Sequence, residues 1–76
     1  MDSTTIEQMI RAGLPGAEVT VNGDDGVHFE AQVICDSFRG KPTLQRHRMV
    51  YATLGELMGR EIHALALRTD VPGGNH

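Results

Sequence analysis

The chain has 76 residues and a mass of 8.3 kDa, which allows one small domain and leaves little room for an enzyme's cleft. Its single cysteine excludes an intrachain disulfide framework, and no Cys-x-x-Cys pair is present for zinc. With 39% hydrophobic and 22% charged residues it reads as a folding chain, and a net charge of −3 argues against a wholesale nucleic-acid coat. The start, Met1 to Thr5, lacks a basic region followed by an apolar core, so no secretory leader is expected. No apolar run approaches the roughly 20 residues of a membrane-spanning helix. The expectation is a soluble, cytoplasmic module, without contact to membranes, that works through partners.

Thr4-Thr5-Ile6-Glu7 fits a capping box, and Ile6, Met9, Ile10 and Leu14 follow at helical spacing. Gly13 and the Pro15-Gly16 turn end this first helix. Ala17, Val19 and Val21 alternate with polar residues as a half-buried strand does. Asn22-Gly23-Asp24-Asp25-Gly26 is a hairpin loop. The returning strand carries Val27, Phe29, Ala31, Val33 and Cys35 on one face, and His28, Glu30, Gln32 and Ile34 on the other.

After a loop from Asp36 to Pro42, the spacing of Leu44, His47, Tyr51, Leu54 and Met58 predicts a second helix. Val50 and Leu57 widen its apolar stripe, Gly55 falls inside it, and Gly59 stops it. Ile62 to Leu67 is too short for a helix and reads as a third strand, small on one face and bulkier on the other. The stretch from Asp70 to His76 reads as a frayed tail. The expected organisation is one domain over 1–70 and a flexible tail over 71–76. Three strands with helices on one face make a two-layer α+β sandwich. The link from the second strand through the helix to the third is a crossover, so those two strands are expected to run parallel as neighbours in a mixed sheet.

That topology bears on the histidines. His28 and His63 each open a strand, and parallel neighbours about 4.8 Å apart would bring both to one end of the sheet, in reach of one ion or cluster. The same spacing is compatible with two surface histidines that hold nothing. Cys35 follows His28 by seven positions, roughly 23 Å along a strand at about 3.3 Å per residue, and cannot share a metal with it. A buried, inert thiol is the simpler role for Cys35. Met9, Met49 and Met58 suit helix packing, and Asp24 and Asp25 are loop formers first, a carboxylate role beside His28 being a weaker signal.

A second constellation is basic. Arg39, Lys41, Arg46 and Arg48 fall within ten positions with no acid among them. Gly40 and the following helix start would let backbone N–H groups approach a phosphate. A solvated helix start explains the same charges. His47 falls on the apolar side of the helix and reads as a packed side chain. No nucleophile–base pair, glycine-rich nucleotide loop or carboxylate pair is visible. The lone cysteine lacks a resolving partner for reductase chemistry, so no turnover is expected.

Phe38-Arg39-Gly40, followed by Arg46-His47-Arg48 and an aliphatic residue, resembles the signature of BolA-like proteins. His28-Phe29 and Ile62-His63-Ala64 extend the likeness over most of the chain. The acidity and the hairpin's Gly-Asp-x-x-x-His-Phe pattern are similar to the short bacterial IbaG- or YrbA-type subgroup. The resemblance implies an αββααβ fold of the class II KH-like type. It also implies a monothiol glutaredoxin as partner and a [2Fe-2S] cluster shared with that glutaredoxin and glutathione, in iron–sulfur assembly, trafficking or iron sensing. On this likeness His28 and His63 are the chain's cluster ligands. Two imidazoles alone would hold iron weakly, so the isolated chain, a monomer or weak homodimer, is expected to carry none. Family members continue past a turn into a further C-terminal helix, whereas this sequence stops soon after Val71-Pro72. Gly40-Lys41-Pro42-Thr43 also lacks the second glycine of a KH loop. The alternative function, also attributed to the family, is a DNA-binding stress-response regulator contacting phosphates through Arg39, Lys41, Arg46 and Arg48.

Overall fold

The computed structural model describes residues 2–23, 25–62 and 64–73. Helix α1 spans Ser3–Gly13, and its N-cap is Asp2, whose Oδ1 accepts the Thr5 N–H at 2.8 Å. The cap therefore lies two residues earlier than the capping box expected at Thr4. Asp2 is the stronger cap because a charged oxygen meets the positive end of the helix. Ile6 and Ile10 are fully buried along the apolar stripe, with Leu14 beyond them.

Strands β1 (Glu18–Asn22) and β2 (His28–Ile34) form the hairpin, with Val21 opposite Ala31 and Asn22 opposite Glu30. Strand β3 (Ala64–Asp70) joins the far side of β2 and runs parallel to it, from Ala64 opposite His28 to Asp70 opposite Ile34. The sheet order is β1-β2-β3, a mixed three-stranded sheet with β2 in the centre. Val19, Val21, Phe29, Ala31, Val33 and Leu65 face the helices and form the core with Ile6, Ile10, Val50 and Leu54. The other face, carrying His28, Glu30, Gln32, Ala64 and Ala66, is exposed. This is the two-layer α+β sandwich that the element order predicts.

Three boundaries differ from expectation. Helix α2 spans Thr43–Leu54 and ends at Gly55, which has φ +54° and begins a short 3-10 turn, Gly55–Leu57. A glycine in that backbone region breaks the helical ladder, so the helix stops well before Gly59. Leu44 is 63% exposed rather than buried. The buried line runs through Val50 and Leu54, and at 100° per residue Leu44 stands about 120° around the helix from Val50. Strand β3 begins two residues later than Ile62 and continues to Asp70. Ile62 donates its N–H to Leu57 O (3.0 Å) and accepts the Gly59 N–H (2.9 Å), so its backbone closes a turn and not the ladder. At the other end, Asp70 O accepts the Cys35 N–H at 3.0 Å, which carries the pairing past the apolar run. Val71 rests half-buried against the core.

Candidate metal-ligand site and basic loop

The hairpin loop shapes the start of β2 through one side chain. Asp25 Oδ1 accepts two backbone N–H groups, from Val27 at 2.9 Å and from His28 at 2.8 Å. Its other oxygen, Oδ2, lies 2.6 Å from Nδ1 of His28. A short polar side chain that folds back on its own backbone is what a loop of Asn, Gly and Asp favours. These three contacts, the imidazole first, hold the Asp25 carboxyl well below its ordinary acidity range. A carboxylate can only accept, so the shared proton belongs to Nδ1 of His28. The imidazole is thus held in one orientation although its side chain is 61% exposed.

Beside His28 the open sheet face is low. Ala64 lies directly across in β3 and Ala66 two positions on, next to Glu30. Asn22, Gly23, Asp25, His28, Phe29, Glu30, Ala64 and Ala66 line an open depression of about 420 Å³. The parallel β2–β3 pairing required for two strand-opening residues to meet is present. His63, the second expected ligand, lies outside the described residues; the residue after it, Ala64, is the one paired with His28. Among the described residues, no three His, Cys, Asp or Glu side chains gather into a set that could hold a metal ion. Cys35 is buried beyond the opposite end of β2, as its spacing requires. The sequence reading named Asp25 as a loop former and missed its grip on the ring. The three-residue step from Asp25 to His28 at a strand start was the available signal.

The basic residues are tied to their own loop. Arg39 Nε donates to Asp36 Oδ1 at 3.0 Å, and Lys41 Nζ to Ser37 O at 2.7 Å. Arg46 Nε donates to Lys41 O at 2.8 Å, and its guanidinium lies 6.0 Å from the centre of the buried Phe38 ring. Arg48 is exposed two residues further along α2. Arg39 and Lys41 thus brace the loop itself, and Arg46 ties the start of α2 to Lys41 and Phe38. His47 is half-buried and meets Tyr51 edge-on, with ring centroids 6.5 Å apart. Tyr51 in turn donates its hydroxyl to Leu65 O at 3.4 Å and links α2 to β3. No helix among the described residues is long and apolar enough to cross a membrane.

The family model described as BolA-like protein matches residues 11–73, which hold the whole mixed sheet and the second of the helices that back it. The chain belongs to the BolA-like protein family. Protein BOLA2 of Arabidopsis thaliana is 46% identical over 50 residues, covering 66% of this chain and 53% of that protein. The DNA-binding transcriptional regulator BolA of Escherichia coli is 48% identical over 42 residues, 55% of this chain and 40% of that protein. The matched stretches thus span about half or less of those relatives. A solved structure of a bolA protein homologue from Coxiella burnetii superimposes with a TM-score of 0.86 at 44% identity, covering 96% of this chain and 94% of that one.

Proposed function

We propose that this chain is a partner module that co-ligates a [2Fe-2S] cluster with a monothiol glutaredoxin and glutathione, without turnover of its own. The observation that carries the reading is His28, held by Asp25 at the end of the sheet where β3 begins. The donor set fits such a cluster: an accessible imidazole backed by a carboxylate is a common outer-shell arrangement at metal sites. His63 is assigned as the second ligand on the family resemblance, and the remaining ligands belong to the partner and glutathione. When bound, the cluster supplies a labile centre for transfer or sensing, which histidine ligation favours over thiolate alone. The chain's own residues orient the imidazole and leave the sheet face beside it low enough for a partner to approach.

The test is reconstitution of the purified chain with a monothiol glutaredoxin, glutathione, iron and sulfide. His28→Ala and His63→Ala are each expected to change the visible spectrum and weaken the complex. An unchanged spectrum and complex stability in either variant rejects that ligand.

The second reading is DNA binding through Arg39, Lys41, Arg46 and Arg48. It is favoured by the likeness to a protein named a DNA-binding transcriptional regulator. Four phosphate contacts would give a slope of log affinity against log salt of about −3 to −4. A flat titration removes this reading.

A further inference from the structure

Asp25 makes more contacts than a loop former needs. Oδ1 alone closes the turn, through the N–H groups of Val27 and His28. Oδ2 is left to the imidazole of His28, 2.6 Å away. Because Oδ1 is pinned by two backbone donors, the carboxylate cannot swing away from the ring without breaking the turn. The two ends of one side chain therefore couple the backbone at the start of β2 to the direction of a single imidazole.

We propose that Asp25 is a positioning residue that fixes neutral His28 as the Nδ1–H tautomer, so that Nε2 carries the lone pair that a metal centre would take. The inference deepens the reading of His28 as a cluster ligand and rests on it for the identity of the metal. A neutral imidazole carries one proton and one donor lone pair, and the group hydrogen-bonded to one nitrogen decides which nitrogen has which. An acceptor-only carboxylate at Nδ1 puts the proton there. Hydrogen bonding of that kind also raises the donor strength of the opposite nitrogen.

Asp25→Asn separates the two tasks. Its amide oxygen can still accept from Val27 and His28, while an NH2 replaces Oδ2 and donates where the carboxylate accepted. In the isolated chain, at a pH where the imidazole is neutral, nitrogen chemical shifts should show His28 protonated at Nδ1. In Asp25→Asn the same shifts should move to the Nε2–H form, with the hairpin amide resonances staying close to those of the parent. Asp25→Ala, which removes both contacts, should show averaged tautomers and displaced amides of Val27 and His28. A parent His28 that is mainly Nε2–H, or a tautomer that ignores Asp25→Asn while the hairpin stays folded, overturns the proposal. In the complex reconstituted with glutaredoxin, glutathione, iron and sulfide, Asp25→Asn should raise the cluster's reduction potential, because the imidazole becomes a weaker donor. An unchanged potential in Asp25→Asn, where His28→Ala does change the cluster spectrum, also overturns it. Should His28→Ala leave the cluster spectrum untouched while the tautomer still follows residue 25, the cluster reading fails and the control of the ring by Asp25 stands.

Discussion

Gly23 yields its side-chain space to Phe29: a Cβ on Gly23 would lie 2.4 Å from Cδ1 of the Phe29 ring and 3.0 Å from the His28 carbonyl oxygen. Phe29 is 4% exposed and anchors the hairpin to the core one residue after the candidate ligand. Gly23→Ala must push the ring or the loop aside. Overpacking of this kind costs roughly 1–3 kcal/mol. Denaturant unfolding should show the lower midpoint, and amide shifts should localise the disturbance to residues 22–30.

Acid should loosen the chain's first helix and its hairpin together. Asp2 and Asp25 both have pKa values lowered by folding, Asp2 through the Thr5 N–H and Asp25 chiefly through His28. A carboxylate with a depressed folded pKa contributes stability that is present above its unfolded value and lost as pH falls through the folded one. The expected loss therefore begins below about pH 4, where the unfolded groups start to bind protons first. Melting curves of the parent and of Asp2→Ala should differ at neutral pH and converge in acid. Curves that remain equally far apart at every pH would show that the cap's charge contributes nothing.

Gly55 tests what ends α2. No atom lies within 4 Å of the place its Cβ would take, so a substitution there meets no clash, only an unfavourable backbone at φ +54° and ψ −126°. Gly55→Ala should cost about 1–3 kcal/mol. An increase in stability would mean that α2 simply continues through position 55 in the variant, as the helical spacing of its apolar residues suggests.

Ile62 is fully buried and leads the chain into β3. Ile62→Ala should destabilise by about 2–5 kcal/mol, as other large-to-small core changes do. Hydrogen exchange should rise at Ala64 and its β2 neighbours before it rises across the β1–β2 pairing.

The sandwich, the hairpin and the parallel β2–β3 pairing were legible because period-two alternation in β1 and β2 is strong and the crossover rule leaves few alternatives. The buried set Phe29, Ala31 and Val33 of β2, with Cys35 just past its end, follows from alternation alone. The phase of α2 was harder to read. Leu44 and Tyr51 keep helical spacing, yet the helix turns Val50 and Leu54 inward, a choice made by tertiary packing that spacing does not encode. The start of β3 was obscured because Ile62 is as apolar as a strand residue while its backbone serves a turn. Asp25 was visible as a loop residue, but the use of its second oxygen depends on where β2 begins, and that is a matter of one residue. The basic cluster was legible as charge, whereas its local partners, backbone carbonyls and one aspartate, depend on loop geometry that the sequence does not spell out.

The register of β2 against β3 has a consequence for the order in which the molecule assembles. The contact between Asp25 and His28 is local to one turn and can form as soon as the hairpin closes, on the time scale of microseconds. The meeting of residues 28 and 64 must wait until the intervening chain, α2 included, has closed a much longer loop. A nascent chain caught between those two events holds an oriented imidazole with no third strand beside it. On the proposed reading, completion of the ligand pair is thereby tied to arrival of the last strand, and a half-folded molecule would offer a cluster only one of its two imidazoles.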